Sequence, residues 1–369
     1  MIIELHAIQS FGPSNLNRDD TGNPKEAIFG GVRRARISSQ AAKRAIRVSE
    51  VFKRATSVPS GMRTKLLVDQ ITGRLAAEGV DADFARQYAS EVTTKLFAGL
   101  DKKAENKTSV LVYISEGEIT LIVDYCLEAL QRSETPDVNE LVKRFVKQLA
   151  NRTSAPDIAL FGRMLAEKPE LNIDAACQMA HALSTHEVNT AEFDYFTAVD
   201  DLQSDDTSGA GMLGLVMFNA ATYYRCARID WDQLVRNLDG DIKLARRTVE
   251  GFMRAFALVV PSGMKNAFVN QHAPDFLLAA TRPDNDGQSL DNAFERPVRP
   301  KQGSGYVEPS IRALATYWEQ VDRAFRVSPP VLAVMNPRGY ELPSEELTQA
   351  SKTDLNTWVE AILQSLNGE

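Results

Sequence analysis

Six cationic side chains, Arg33, Arg34, Arg36, Lys43, Arg44 and Arg47, fall within fifteen residues, and no Asp or Glu lies between residues 27 and 49. With 42 Lys and Arg in 369 residues, an average window of that size would hold fewer than two. A glycine pair, Gly30-Gly31, precedes the run and two hydroxyls, Ser38 and Ser39, interrupt it. This is the chemistry of an anion site. Glycine lets backbone bend tightly, cations neutralise the ligand, and a capped helix start offers amide donors and the positive end of its dipole. Ser39 is expected to cap a helix beginning at Gln40. Lys43 and Arg47 would then share one face, with Ala42, Ala45, Ile46 and Ser49 turned toward a core. The same pattern also fits a solvated basic helix with ordinary capping.

No other constellation points to catalysis. The chain has no GxSxG, HExxH or Walker phosphate loop. Asp19-Asp20 and Asp200-Asp201 could hold a metal, but adjacent acids in loops are usually solvated. His181 and His186 lie five apart, which suits neither a helical face nor one side of a strand, and His6 and His272 stand alone. No catalytic residue, metal or cofactor is expected. Cys126, Cys177 and Cys226 form neither a CxxC pair nor a disulfide pattern, as in a reducing compartment.

The elements that must position the basic block follow from periodicity. Residues 1–11 read as a strand ended by Gly12-Pro13, and residues 14–25 as an exposed polar loop bringing Arg18 and Lys25 to the same site. From about residue 58 to 174 the pattern turns helical. Phe84, Tyr88, Val92 and Leu96 recur every fourth position, Ser115 with Glu118 makes a capping box, and Thr135-Pro136-Asp137 starts a further helix. Residues 173–189 do not choose between helix and strand. Residues 193–224 place two apolar, aromatic arms around DDLQSDDTSGAGMLG, which predicts a long hairpin; its aromatics could equally pack back on the core. Residues 233–258 read as helix and 268–280 as an interrupted strand. Residues 281–305 read as loop, and two more helices follow, one opening at Pro309 and one carrying Trp358. Strands toward both ends with helices between them predict an α+β fold.

With 44% hydrophobic and 25% charged residues, the composition is that of a globular protein able to form more than one lobe. A net charge of -7 argues against indiscriminate coating of nucleic acid, and leaves room for a focused basic groove. No run has the pattern of a signal peptide or the length of a membrane span, so a cytoplasmic protein is expected.

PSNLNRDD at residues 13–20, KEAIFGG at 25–31, the basic block, DIALFGRM at 157–164, residues 181–199 ending in FTAV, and residues 309–318 together resemble the CasC family. CasC is the CRISPR RNA-binding backbone subunit of the type I-E surveillance complex Cascade. The resemblance implies a palm of RRM-like (ferredoxin-like) fold at residues 1–57, 175–192 and 225–369. It also implies helical fingers at 58–174 and a β-hairpin thumb at 193–224, and it favours strand in the ambiguous stretch. It implies a non-catalytic protein that stacks head to tail, about six copies to a helical filament, along the CRISPR RNA (crRNA). The guide would be kinked at regular intervals and presented for pairing with target DNA. Its partners would be crRNA, other copies, other Cascade subunits and the paired target, with no membrane.

By the same resemblance Arg18, Lys25, Ser38, Gln40, Lys43, Arg44, Arg47 and Lys265 would bind RNA on the palm. Phe196, Thr197 and Val199 would act from the thumb, with Met164 below. Two positions depart from the family pattern: Tyr195 stands where an indole is expected, and Val32 interrupts a longer cationic run. The alternative from another class is a metal-dependent endoribonuclease using Asp19, Asp20 or Glu26. A structural oligomer without nucleic acid leaves the basic block unexplained.

Overall fold

The computed structural model describes the chain apart from residues 133, 166–167, 190–191, 199–211, 284–286, 301–302, 326–328 and 367–369. It divides into two compact units, residues 1–51, 179–228 and 252–369 in the first and 52–178 with 229–251 in the second. Among the described residues no helix is long and apolar enough to cross a membrane.

The chain opens with β1 (Ile2–Ser14), β2 (Glu26–Phe29), β3 (Val32–Ile37) and α1 (Ser39–Val48), followed by α2 (Glu50–Thr56). The opening strand therefore runs through its predicted Gly12-Pro13 stop and ends three residues past Phe11. Pro13 is exposed, where the N–H it lacks is not missed. The second unit begins within α2 and goes on with β4 (Met62–Thr64), α3 (Leu67–Ala77), α4 (Ala82–Leu96), β5 (Leu100–Asp101), β6 (Ala104–Thr108) and β7 (Val112–Ile114). It continues through α5 (Glu116–Gln131), α6 (Val138–Leu149) and α7 (Pro156–Phe161). The apolar stripes predicted from spacing do form this core: Tyr88, Val92 and Leu96 of α4 meet Ile119, Ile122 and Cys126 of α5 and Leu141 and Phe145 of α6. Ser115 and Glu118 make the expected capping box, and Asp137 caps α6. The two small hairpins, β4 with β7 and β5 with β6, were not legible as strands because such short runs carry no period.

Residues 173–189 resolve as strands, β8 (Cys177–Met179) and β9 (Ala182–Ser184). Then come β10 (Glu192–Ala198), the long β11 (Met212–Asp230), α8 (Trp231–Asn237) and α9 (Ile242–Leu258). The single helix expected over 233–258 is broken where Asp239 and Gly240 take positive φ. β12 (Phe276–Arg282), α10 (Val307–Phe325), β13 (Val331–Met335), α11 (Glu345–Gln349) and α12 (Leu355–Ser365) complete the chain. β12 starts later than the sequence predicts because a turn around Met264, at positive φ, and Pro274 keep residues 268–275 out of the ladder.

In the first unit the sheet order is β13-β12-β1-β11-β9-β3-β2, with β10 also paired to β11. β1 and β12 are interior strands and pair antiparallel from Ile2 opposite Arg282 to Ile8 opposite Phe276. Residues 2–9 are all buried, which is why β1 reads as apolar with little alternation. α10 covers one face, setting Ile311, Leu314 and Trp318 against Ile8, Phe276, Leu278 and Ala280. The indole of Trp358 on α12 donates to the Ala333 carbonyl of β13 at 3.1 Å. Under α10 lie groups that the sequence marked as unremarkable. Arg282 donates to Glu4 at 2.7 Å, and His6 shares a 2.8 Å hydrogen bond with the Tyr224 hydroxyl. Burial alone would raise the Glu4 carboxyl, yet His6 and Arg282 beside it hold it below the ordinary carboxylate value. The arrangement is α+β, with a largely antiparallel sheet and helices packed on it.

Candidate nucleic-acid interface

The basic block is not one surface. Phe29 pairs with Val32 across Gly30-Gly31, both glycines at positive φ, so the pair is the two-residue turn of a hairpin and not a phosphate loop. A Cβ at Gly30 would overlap the Glu295 carbonyl oxygen, whereas Gly31 faces open space. Gly30→Ala is therefore expected to cost about 2 kcal/mol or more, from the left-handed backbone and the overlap together, and Gly31→Ala about 1 kcal/mol. Urea midpoints of the two variants check this. Arg34, counted above among the cations, turns inward and is 0% exposed. Its guanidinium donates to the carbonyls of Ser184 at 2.9 Å and Phe294 at 2.7 Å. It is a structural staple of the sheet and cannot reach a ligand.

The helix after the block starts one residue earlier than predicted. Ser38, not Ser39, is the cap, its hydroxyl accepting from the Ala41 amide at 3.2 Å. The expected free amides are partly spent. Ser38 N–H donates to Asn17 Oδ1 at 2.8 Å, and Ser39 N–H donates to His181 Nδ1 at 3.1 Å. Along α1 Ile46 is buried, Gln40 and Arg44 are exposed, and Lys43 and Arg47 are half-buried. The first turn carries no acid and the last carries Arg47, so the positive helix end faces no competing carboxylate of its own.

Beside this helix start, Asp19, Asn23, Pro24, Lys25, Glu26, Arg33, Arg36 and Met217 line a cleft of about 430 Å³. Arg36 is held by a 3.1 Å bond to the Glu26 carbonyl, and Arg33 pairs with the Glu26 carboxylate. Asp19 accepts from the Thr21 hydroxyl at 2.7 Å and from the Thr21 and Asn23 amides at 2.9 Å. The Thr21 hydroxyl chiefly holds its carboxyl below the usual range. It is the knot of the loop that carries Arg18 and Lys25. Arg18, exposed, bridges to Pro24 in that loop. Asn15 ties the loop to β11, donating to the Gly22 and Met217 carbonyls at 3.0 and 2.8 Å. Lys265 sits exposed in the turn at residues 263–268, whose Gly263 packs against the Asn15 and Leu16 carbonyls. The loop thus carries Arg18 and Lys25, bonds Ser38 through Asn17 and packs against the turn that holds Lys265, while the α1 cations follow from the helix start at Ser39. Arg33, Arg36, Asn17 and His181 belong to the same neighbourhood. Spacing alone could have nominated Arg36; nothing in the sequence tied His181 to Ser39, 142 positions away.

The predicted hairpin forms between β10 and β11, with Phe196 opposite Gly214. A Cβ at Gly214 would overlap the Phe196 ring, so the glycine is what lets that ring lie across the ribbon. Phe196 is 45% exposed, and Phe193, Tyr195, Leu213 and Leu215 are exposed as well. The aromatics do not pack back on the core. Thr197, exposed, lies on the other face, opposite Leu213, and Val199 lies outside the described residues. Met164 belongs to the second unit, where it is 89% exposed. Its presentation is built by its neighbours. Gly162 turns the chain at positive φ, Arg163 is buried in an ion pair with Glu118, and Asp157 accepts the Tyr113 hydroxyl at 2.6 Å.

The family model described as CT1975-like protein matches residues 3–361. The chain belongs to the CT1975-like family. Its fold is that of subunits from solved RNA-guided assemblies. A chain of a "CRISPR RNA-guided surveillance complex, pre-nicking" superimposes with a TM-score of 0.86 at 29% identity, over 99% of this chain and 100% of that one. A chain of a "CRISPR RNA-guided surveillance complex" gives 0.75 at 26% identity with the same coverage. No curated protein sequence matches the chain. Membership of this family and the CasC resemblance point the same way, and the agreement extends over nearly the whole chain. Among the described residues no group of three or more His, Cys, Asp or Glu side chains is assembled to hold a metal ion.

Proposed function

We propose that this member of the CT1975-like family is a non-catalytic, guide-RNA-binding backbone subunit of a CRISPR surveillance complex, of the type I-E kind that the CasC resemblance implies. One observation carries the reading. In a chain of net charge -7, Lys25, Arg33 and Arg36 line one cleft of the first unit together with Asp19 and Glu26, and both acids are engaged, Asp19 by its own loop and Glu26 by Arg33. Such a site grips phosphates without reading bases, which is what a carrier of any spacer needs. Arg18, Lys25, Ser38, Gln40, Lys43, Arg44, Arg47 and Lys265 hold the backbone. Phe196, Thr197 and Val199 work from the thumb, and Met164 from the fingers, wedging bases so that the guide is kinked into segments. Copies join head to tail, a contact that does not close and so extends along the RNA, and pairing with target DNA is left to the exposed bases. Residues 1–57, 175–192 and 225–369 form the RRM-like palm, 58–174 the fingers and 193–224 the thumb. The protein works in the cytoplasm beside the other Cascade subunits.

The endoribonuclease reading loses support because Asp19 is engaged by its own loop and Glu26 by Arg33. Incubating the purified chain with labelled single-stranded RNA across a salt series, with and without Mg²⁺, tests both readings. Intact RNA bound with a steep salt dependence and little sequence preference is expected; metal-dependent cleavage would replace this reading with the nuclease.

A further inference from the structure

His181 has a feature that the phosphate-gripping reading does not use. Its Nδ1 accepts the Ser39 amide, so the ring is the tautomer whose proton sits on Nε2. The ring is exposed, and its Nε2 has no partner among the described residues. Burial, together with the charges of Arg36 and Lys25, holds the imidazole below the usual histidine range, so it is neutral near pH 7. Near two cations the chain thus places one uncharged donor, whose orientation is fixed by the first amide of α1. An alkyl side chain would cover the same space, and a third cation would be repelled by the other two.

We infer that His181 is a further RNA-contacting residue, its Nε2–H donating to a phosphate oxygen of the strand held by Lys25 and Arg36. This rests on the guide-binding reading and adds a contact of different physical kind. A lysine or arginine contact releases counterions when RNA binds, so it contributes to the slope of affinity against salt. A neutral donor adds affinity and leaves that slope unchanged. His181 would also keep the phosphate in register with the start of α1, because one ring bonds both.

Two near-isosteres separate contact from scaffold. His181→Asn puts an amide oxygen where Nδ1 stood, keeping the Ser39 acceptor and removing the outward donor. His181→Gln puts an amide nitrogen near the Nε2 position, keeping the donor and loosening the Ser39 bond. Binding of labelled single-stranded RNA is measured for the full chain, both variants and Lys43→Ala/Arg47→Ala at several salt concentrations and pH 7.5. The expected result is an affinity for His181→Asn about tenfold below wild type with an unchanged salt slope, and near-wild-type affinity for His181→Gln. Weakened binding by His181→Gln with full binding by His181→Asn would overturn the inference and leave His181 as a prop for α1. So would equal affinities of both variants with wild type. A salt slope unchanged in Lys43→Ala/Arg47→Ala, or wild type that fails to bind, would instead strike the guide-binding reading itself, and the inference with it.

Discussion

Arg163→Ala is expected to destabilise the second unit by about 3–5 kcal/mol, the range for stripping one partner from a buried ion pair. The guanidinium reaches Glu118 at 2.5 Å, and both side chains are all but excluded from solvent. It also donates to the Leu171 carbonyl from two nitrogens, at 3.2 and 3.0 Å. Removing it leaves a carboxylate buried, with the Ser115 amide at 2.7 Å still bonded to it and no cation to oppose its charge. A domain of ordinary stability has about 5–15 kcal/mol in all, so the variant stands near the limit of folding. Arg163→Lys keeps the charge but not the fork to Leu171, and should fall between the two. Urea denaturation followed by hydrogen exchange in α5 reads the effect; a midpoint unchanged from wild type would contradict the assignment of the pair as a structural anchor. Because Met164 follows directly, a weakened anchor should also lower RNA affinity at temperatures where the unit stays folded.

Lys43→Ala/Arg47→Ala is expected to weaken RNA binding about 10- to 100-fold near 0.1 M salt, since each charge-assisted hydrogen bond is worth about 1.5–3 kcal/mol at most and is partly screened. The salt slope should fall by about 0.7 for each phosphate that is no longer neutralised. Both residues stand on α1, whose cap is Ser38 and whose buried residue is Ile46, so the cap and the buried contact are kept, and a urea midpoint measured beside the binding curves separates lost contact from lost stability. Equal slopes in variant and wild type would mean that α1 is merely a solvated basic face.

Where the sequence spoke clearly, long periodic segments were the reason. The stripes of α4, α5 and α6, the Ser115–Glu118 capping box, the helix start at Asp137 and the β10–β11 hairpin appear where spacing placed them, whereas the cap of α1 is one residue earlier than expected. Local chemistry was harder to read, because partners distant in sequence decide it. Arg34 has the look of a ligand cation in the sequence, but the carbonyls of Ser184 and Phe294 claim it. Gly30-Gly31 has the look of a phosphate turn and is a hairpin turn pressed against Glu295. The helix start reads as open, and Asn17 and His181 already hold two of its amides. His6, a lone histidine in the sequence, sits in a buried set with Glu4, Arg282 and Tyr224 that the placing of β1 between β12 and β11 assembles. Side-chain direction within a basic run is set by the sheet it joins, and one sequence does not display that sheet.

The most direct test of the central claim is to purify the intact chain from cells that carry a CRISPR array and express the other subunits, and to sequence the RNA that comes with it. A guide-binding backbone predicts one dominant, undegraded class of RNA made of array-derived spacers, with several copies of the chain on each molecule. RNA drawn in proportion to cellular abundance, or none at all, would contradict it.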